Sequence, residues 1–555
     1  MLWLPNPTFF MNHLATADYL VFLVYFVIVV GYGYWVYQRR RKAETNTTDF
    51  FLAEGSLTWW AIGASLIASN ISAEHFIGMA GSGFAMGLAI SSYEWIAAAT
   101  LVIVAAFFIP IYLRNHIYTM PQFLAQRYSD TVSTILAVFW LVVYVVVNLT
   151  SILYLGAMAI ESLAGISFTT CTVGLALFAI FITLGGMKVI GYTDVIQVIV
   201  LVIGGLVVTY LALELVADRS GTAGIMNGLS QLRSRADSHF HMYFEKGHPH
   251  YLELPGMSLV LGGMWINNLY YWGCNQYIVQ RALGADLKTA RSGILFAAFL
   301  KLMIPIIAVI PGIAAFVLFN EGSFRAAMTD ASGVVKPDHA YPVLMNLLPI
   351  GMKGLAFAAL TAAVVASLAG KANSISTIFT LDLYRKYVDP QASEQKLVRV
   401  GRWAVVLSFV VAIGLAPLLR SLDQVYQYIQ EYTNFITPGI FAIFLLGFFW
   451  KRATNRAAMT VAILTLPLSI LLKFWPEVTS WFGTTADPIP FLHRTMWVFC
   501  IDILLMVVIT LTDPASHQAQ GTVVVDRALF RVTPSFMIGS AGIFGALAVL
   551  YTLFW

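Results

Sequence analysis

Apolar residues in this 555-residue chain come in long uninterrupted runs, not at the spaced positions of a half-buried surface element. A membrane-crossing helix needs about 20 predominantly apolar residues. Fourteen stretches approach that length, near 14–37, 57–79, 84–111, 132–163, 168–187, 192–216, 257–283, 291–319, 353–384, 398–418, 425–450, 455–473, 494–512 and 533–554. Strand-like alternation is absent, so the pattern predicts a helical bundle and excludes an outer-membrane barrel. Two runs carry polar clusters at their centres. Ala68-Ser69-Asn70-Ile71-Ser72-Ala73-Glu74-His75 interrupts the second, and Trp265-Ile266-Asn267-Asn268-Leu269-Tyr270-Tyr271-Trp272-Gly273 interrupts the seventh. Each predicts a broken membrane helix. Spans 2–6 and 7–11 then form two blocks of five, each opening on an interrupted helix, and an odd number of crossings inverts the second block. Broken helices at matching positions of inverted halves point to a transporter site near the midplane, because unwound backbone is tolerated there only where it lines a cavity.

The expectation is therefore an all-α integral membrane protein of about 14 transmembrane helices around a 5+5 inverted-repeat core. Its parts are an extra span with a basic inner loop (1–50), a first repeat (51–217), an outer loop (218–256), a second repeat (257–452) and three further spans (453–555). Composition sharpens this. The chain is 59% hydrophobic and 11% charged, against about 45–50% and 25% in soluble domains. A water-soluble enzyme and a disordered chain are excluded. The net charge of +4 is scattered, which excludes nucleic acid as a partner. Cys171, Cys274 and Cys500 all fall in apolar runs and form neither a disulfide framework nor a zinc spacing.

Arg39, Arg40, Arg41 and Lys42 follow the first span and mark its cytoplasmic side. That run is too long for a signal-peptide core and lacks a basic segment before it. The N-terminus is expected outside, and an even number of spans puts Trp555 outside too. Outer loops hold no Asn-x-Ser/Thr triplet, which is compatible with a bacterial inner membrane. His239, His241, His248 and His250 crowd the 217–256 segment, but no carboxylate or thiolate completes a ligand spacing, so it reads as an exposed mixed-charge loop.

Glu94 and Lys301 each lie about ten residues into the helix after an interrupted one. A charge at membrane depth costs at least a few kcal/mol and needs a partner. Two readings stand. The pair converges on a polar ligand and on each other, or the lysine snorkels and the acid caps helix ends.

Several ordered motifs carry a resemblance: Phe51-Leu52-Ala53-Glu54-Gly55, Gly63-Ala64-Ser65-Leu66, Asn70-Ile71-Ser72-Ala73-Glu74-His75-Phe76-Ile77-Gly78, Tyr93-Glu94-Trp95, Tyr192-Thr193-Asp194-Val195-Ile196-Gln197, Asn275-Gln276-Tyr277-Ile278-Val279-Gln280-Arg281 and Tyr428-Ile429-Gln430. Together they resemble the sodium/solute symporter family, in its sodium/glucose cotransporter branch. The resemblance implies the LeuT-like version of the inverted-repeat fold and alternating access. It implies that Asn70, Glu94, Asn268, Lys301 and Gln430 hydrogen-bond a sugar, with His75 as a sixth contact or a packed interior histidine. Such side chains supply the donors and acceptors that hexose hydroxyls need. It makes Tyr271 an inner gate and Met79, Tyr93 and Tyr426 an outer gate.

The same resemblance places sodium, the implied coupling ion, on the carbonyls of Ala68, Ile71 and Ala363 and on a Ser-Ser pair. Here that pair is Ala366-Ser367, so one oxygen is missing. Lys371 lies four residues beyond Ser367 on the same helix face. Asp194 matches an aspartate near the ion's exit path. One reading pairs Lys371 with Asp194 as a stand-in for sodium, which makes the protein a facilitator or proton-driven. The other points Lys371 into the inner vestibule and leaves a weakened sodium site.

The expected function is secondary transport, sodium-coupled symport of a hexose such as glucose or galactose, by a monomer or weak homo-oligomer in the lipid bilayer. A sodium-independent or proton-coupled sugar transporter is one alternative and a non-transporting sugar sensor another. Glu74-His75 forms no His-Glu-x-x-His motif and no phosphate-cradling Gly-rich loop occurs, so neither an enzyme nor ATP as energy source is expected.

Overall fold

The computed structural model describes residues 14–40, 57–329, 333–421, 425–517 and 523–555. The Phe51–Gly55 motif, Arg41 and Lys42 lie outside the described residues. Among those described, no strand forms beyond one isolated bridge between Thr329 and Val335.

The helices that position the site are α1 (Thr16–Arg40), α2 (Trp59–Asn70), α3 (Ser92–Ile103), α4 (Thr150–Ala164), α5 (Phe168–Thr183) and α6 (Gly186–Arg219) from the first half. The second half supplies α7 (Gly263–Gly273), α8 (Gln276–Leu283), α9 (Leu287–Asn320), α10 (Met352–Thr377), α11 (Glu394–Leu415), α12 (Val425–Thr433) and α13 (Thr437–Phe449). Beyond them come α14 (Asn455–Lys473), α15 (Phe491–Thr512) and α16 (Pro534–Leu553).

Helix covers every one of the fourteen apolar stretches, but fewer are continuous crossings. Among the described residues ten helical runs are each long and apolar enough to span a membrane, eleven if α12 and α13, bent by 45°, count as one. The shortfall has local causes. α5 is short, spans 2 and 7 are broken, and Glu74–Arg114 is one helical run that turns at Gly87. Gly87 takes φ +71°, and a Cβ there would lie 2.3 Å from the His239 carbonyl, so only glycine fits.

The first break falls where the sequence places it. Ile71 is extended (ψ 117°), and Ser72 Oγ accepts the Glu74 N–H at 3.1 Å, capping the wide helical turn Glu74–Met79. The second falls later than expected. Trp265–Gly273 is unbroken helix within α7, and the chain unwinds at Cys274-Asn275 instead. Asn267 and Asn268 fit a helix because they face a polar cavity and need no unwinding. Span 11 also breaks, between α12 and α13, where Pro438 opens the new helix.

The two halves touch through small residues. A Cβ on Gly63 of α2 would stand 2.7 Å from the Gly293 carbonyl of α9, so the backbones meet closely. α1 is tied to the core by Asp18, whose Oδ1 accepts the N–H groups of Gly351 and Gly354 at 2.7 and 2.8 Å. The 217–256 segment is less exposed and less irregular than expected. It carries a helix (Ile225–Arg235), and His239 is buried, stacked on Phe316 with centroids 3.9 Å apart.

Candidate functional site

Both interrupted helices, α3, α9 and α12 enclose one polar cavity of about 60 Å³. Asn70, His75, Tyr93, Glu94, Asn268, Tyr271, Lys301, Tyr426 and Gln430 all line it, and so does Lys371. The sequence reading of a common chamber rests on these positions, and the fold brings them together from both halves.

The electrostatics centre on Lys301. Its ammonium donates to Glu94 Oε2 at 2.5 Å and to Asn70 Oδ1, and it lies 5.2 Å from the centroid of the Trp272 ring. Lys301 is fully buried, so it is not a snorkelling lysine. Glu94 is buried too, and His75 Nε2 reaches its other oxygen at 3.3 Å. The Ser72 N–H points at His75 Nδ1 (3.4 Å), which makes Nδ1 the acceptor and Nε2 the donor to Glu94. Asn70 Nδ2 donates to the Tyr271 hydroxyl at 2.8 Å, and Tyr271 also bonds the Tyr277 hydroxyl. Asn268 Nδ2 donates to the Met264 carbonyl at 3.0 Å, which leaves its oxygen toward the cavity.

Tyr93 and Tyr426, expected in an outer gate, meet edge to face, 5.7 Å between centroids. Met79 is buried in the packed core and does not line the cavity.

Around the expected ion site, Ala68, Ile71, Ala363, Ala366 and Ser367 are all buried. Ser367 Oγ donates to the Ser69 carbonyl at 2.6 Å, which brings α10 against the break in α2. Because the Ser72 N–H turns to His75, the helix ladder does not claim the Ala68 carbonyl, and a helix end offers such oxygens to a hard cation.

The expected Lys371–Asp194 pair does not form. Asp194 is taken by Arg281 of α8, Nη1 to Oδ2 3.2 Å, with Ser65 Oγ accepting from Arg281 and donating to Asp194, both at 2.6 Å. Lys371 instead lies 3.8 Å from Glu74 Oε1 and 5.1 Å from the Tyr277 ring centroid. A four-carbon stem swings its charge far from the face where its Cα sits. A stand-in cation built on the Asp194 contact is therefore ruled out by this geometry.

Sequence reasoning missed Glu74, Asn148, Asn267, Trp272, Asn275 and Thr433 as cavity-lining residues. Glu74 and Asn148 carried a signal, being polar side chains inside apolar spans. Asn275 is fixed by accepting a hydrogen bond from the Tyr144 hydroxyl, a partner distant in sequence.

Residues 50–465 match the sodium:solute symporter family. The chain is 44% identical to the sodium/glucose cotransporter of Vibrio parahaemolyticus, over 98% of this chain and 99% of that one. It is 34% identical to the sodium/myo-inositol cotransporter 2 of Sus scrofa, over 84% of this chain and 71% of that one. In fold it resembles a substrate-bound, outward-open sodium-coupled sialic acid symporter (TM-score 0.74, 20% identity, 92% of this chain and all of that one). A more distant likeness is to Mhp1, a nucleobase-cation-symport-1 family transporter (TM-score 0.51, 16% identity, 86% and 98%). With broken helices around a polar chamber and matches of this extent, the chain is a multi-pass membrane transporter and not an enzyme, and it belongs to the sodium:solute symporter family.

Proposed function

We propose that the protein couples sodium entry to uptake of a hexose such as glucose or galactose, by alternating access in a bacterial inner membrane, with both termini outside. The observation that carries this is the single cavity in which Asn70, Glu94, Asn268, Lys301 and Gln430 converge beneath paired tyrosines. The names of the curated relatives, sodium-coupled glucose and myo-inositol carriers, support a polyhydroxylated substrate. The repeats at 51–217 and 257–452 rock about the bound sugar. Sodium at Ala68, Ile71, Ala363 and Ser367 contributes about 2.3 kcal/mol per charge for each 100 mV of membrane potential.

Gln430→Ala and Asn268→Ala each remove one neutral hydrogen-bond partner, worth about 0.5–1.5 kcal/mol. Each is expected to raise the KM for sugar uptake into proteoliposomes by about 2–10-fold. Unchanged KM in both variants would remove the sugar from this cavity.

Lys371 tunes the ion site. Its ammonium is buried on the helix that carries Ser367, and like charges in such surroundings repel. Lys371→Met is therefore expected to lower the sodium concentration for half-maximal uptake by on the order of tenfold. An unchanged sodium dependence places the ammonium too far from the ion to matter.

A further inference from the structure

A second, larger cavity, about 850 Å³, runs along the outside of the bundle between α9 and α16. Its two ends differ in chemistry. At the start of both helices it is lined by Lys288, Arg291 and Ser292 of α9 and by Thr533 and Ser535 at the head of α16. Further along both helices the lining is apolar, from Leu295 to Leu302 on α9 and from Phe536 to Ala546 on α16. At about 1.5 Å per residue, Ser292 to Leu302 and Phe536 to Ala546 each cover roughly 15 Å. That is the hydrocarbon depth of one leaflet, half of about 30 Å.

The polar end is cationic. Lys288 is exposed, and among the described residues no carboxylate pairs with it or with Arg291. Arg291 is buried against four carbonyls, those of Ala105, Ala106, Leu529 and Arg531, at 2.7–3.2 Å. These engage four of its five N–H groups and leave its charge uncompensated. Asp286, the nearby acid, is turned back to accept the N–H groups of Lys288 and Thr289 at 3.0 and 3.1 Å. The N-termini of α9 and α16 add their positive dipole ends. Trp59, half exposed on the rim, is the interfacial residue expected at a headgroup level.

From this we infer that the groove between α9 and α16 is a specific site for an anionic glycerophospholipid. The phosphate sits at Lys288 and Arg291, and one acyl chain lies along the apolar walls. Basic clusters between membrane helices recognise anionic headgroups in this way. The groove exists because Gly542 leaves it open; no atom lies within 4 Å of a Cβ built there. The groove shares no lining residue with the transport cavity, although α9 borders both, with Lys301 lining the cavity and Leu302 the groove.

The test is native mass spectrometry of the detergent-purified full chain with equal phosphatidylglycerol and phosphatidylcholine. Each basic side chain near a headgroup contributes roughly a fivefold preference. The protein is expected to retain phosphatidylglycerol over phosphatidylcholine by at least that factor. Lys288→Gln, on an exposed turn, is expected to reduce the preference about fivefold. Gly542→Phe fills the groove and is expected to remove retention of both lipids. Excess inorganic phosphate is expected not to displace the bound lipid. Equal retention of the two lipids, a preference that survives both variants, or displacement by inorganic phosphate overturns the assignment.

Discussion

Lys301→Met is expected to abolish sugar uptake and to lower stability by about 3–5 kcal/mol, because it strands a buried carboxylate. Lys301 donates to both Asn70 and Glu94, and neither it nor Glu94 has access to bulk water. With the ammonium gone, Glu94 keeps only the 3.3 Å contact from His75. Adding Glu94→Gln removes the stranded charge. The double variant is expected to recover most of the melting temperature in detergent while uptake stays absent, since both sugar partners are altered. A cycle of the two single variants and the double measures the coupling directly. Additive melting losses would mean that the two groups do not form the pair described.

The second large effect is expected at Arg281. Its guanidinium is fully buried, and its charge partner is Asp194, bridged by Ser65. Arg281→Met is expected to cost about 3–5 kcal/mol for the same reason, and Asp194→Asn in that background to restore most of it. The pair links α8, which follows one broken helix, to α6 of the other half, with Ser65 of α2 between them. The rescued double variant is therefore expected to be stable and to show altered sodium dependence, whereas an unaltered dependence would make the pair purely structural.

These two pairs also show what was legible in the chain before its fold. Glu94 and Lys301 were found because each is a lone charge at a matching depth in matching helices, and lipid allows such a charge few fates. The polar break at Ile71-Ser72 was legible for the same reason. The seventh span misled, because Asn267 and Asn268 look like a break although they sit on an intact helix facing the cavity. Lys371 misled differently. Spacing of four from Ser367 fixes the face of α10 but not where a long stem carries its charge, nor that Arg281, from another helix, already occupies Asp194. Glu74 was visible as a charge inside an apolar span, but its role as the neighbour of Lys371 needed three-dimensional contact. The lipid-facing groove had no sequence signal, since Gly539 and Gly542 read as ordinary small residues in an apolar helix.

Sodium coupling is measured by uptake of labelled glucose into proteoliposomes, with an inward sodium gradient in one set and equimolar potassium in the other. Accumulation above equilibrium is expected with sodium, only slow equilibration with potassium, and loss of both in Lys301→Met. Equal uptake in sodium and potassium, or full uptake by Lys301→Met, would contradict sodium-coupled sugar uptake through this cavity.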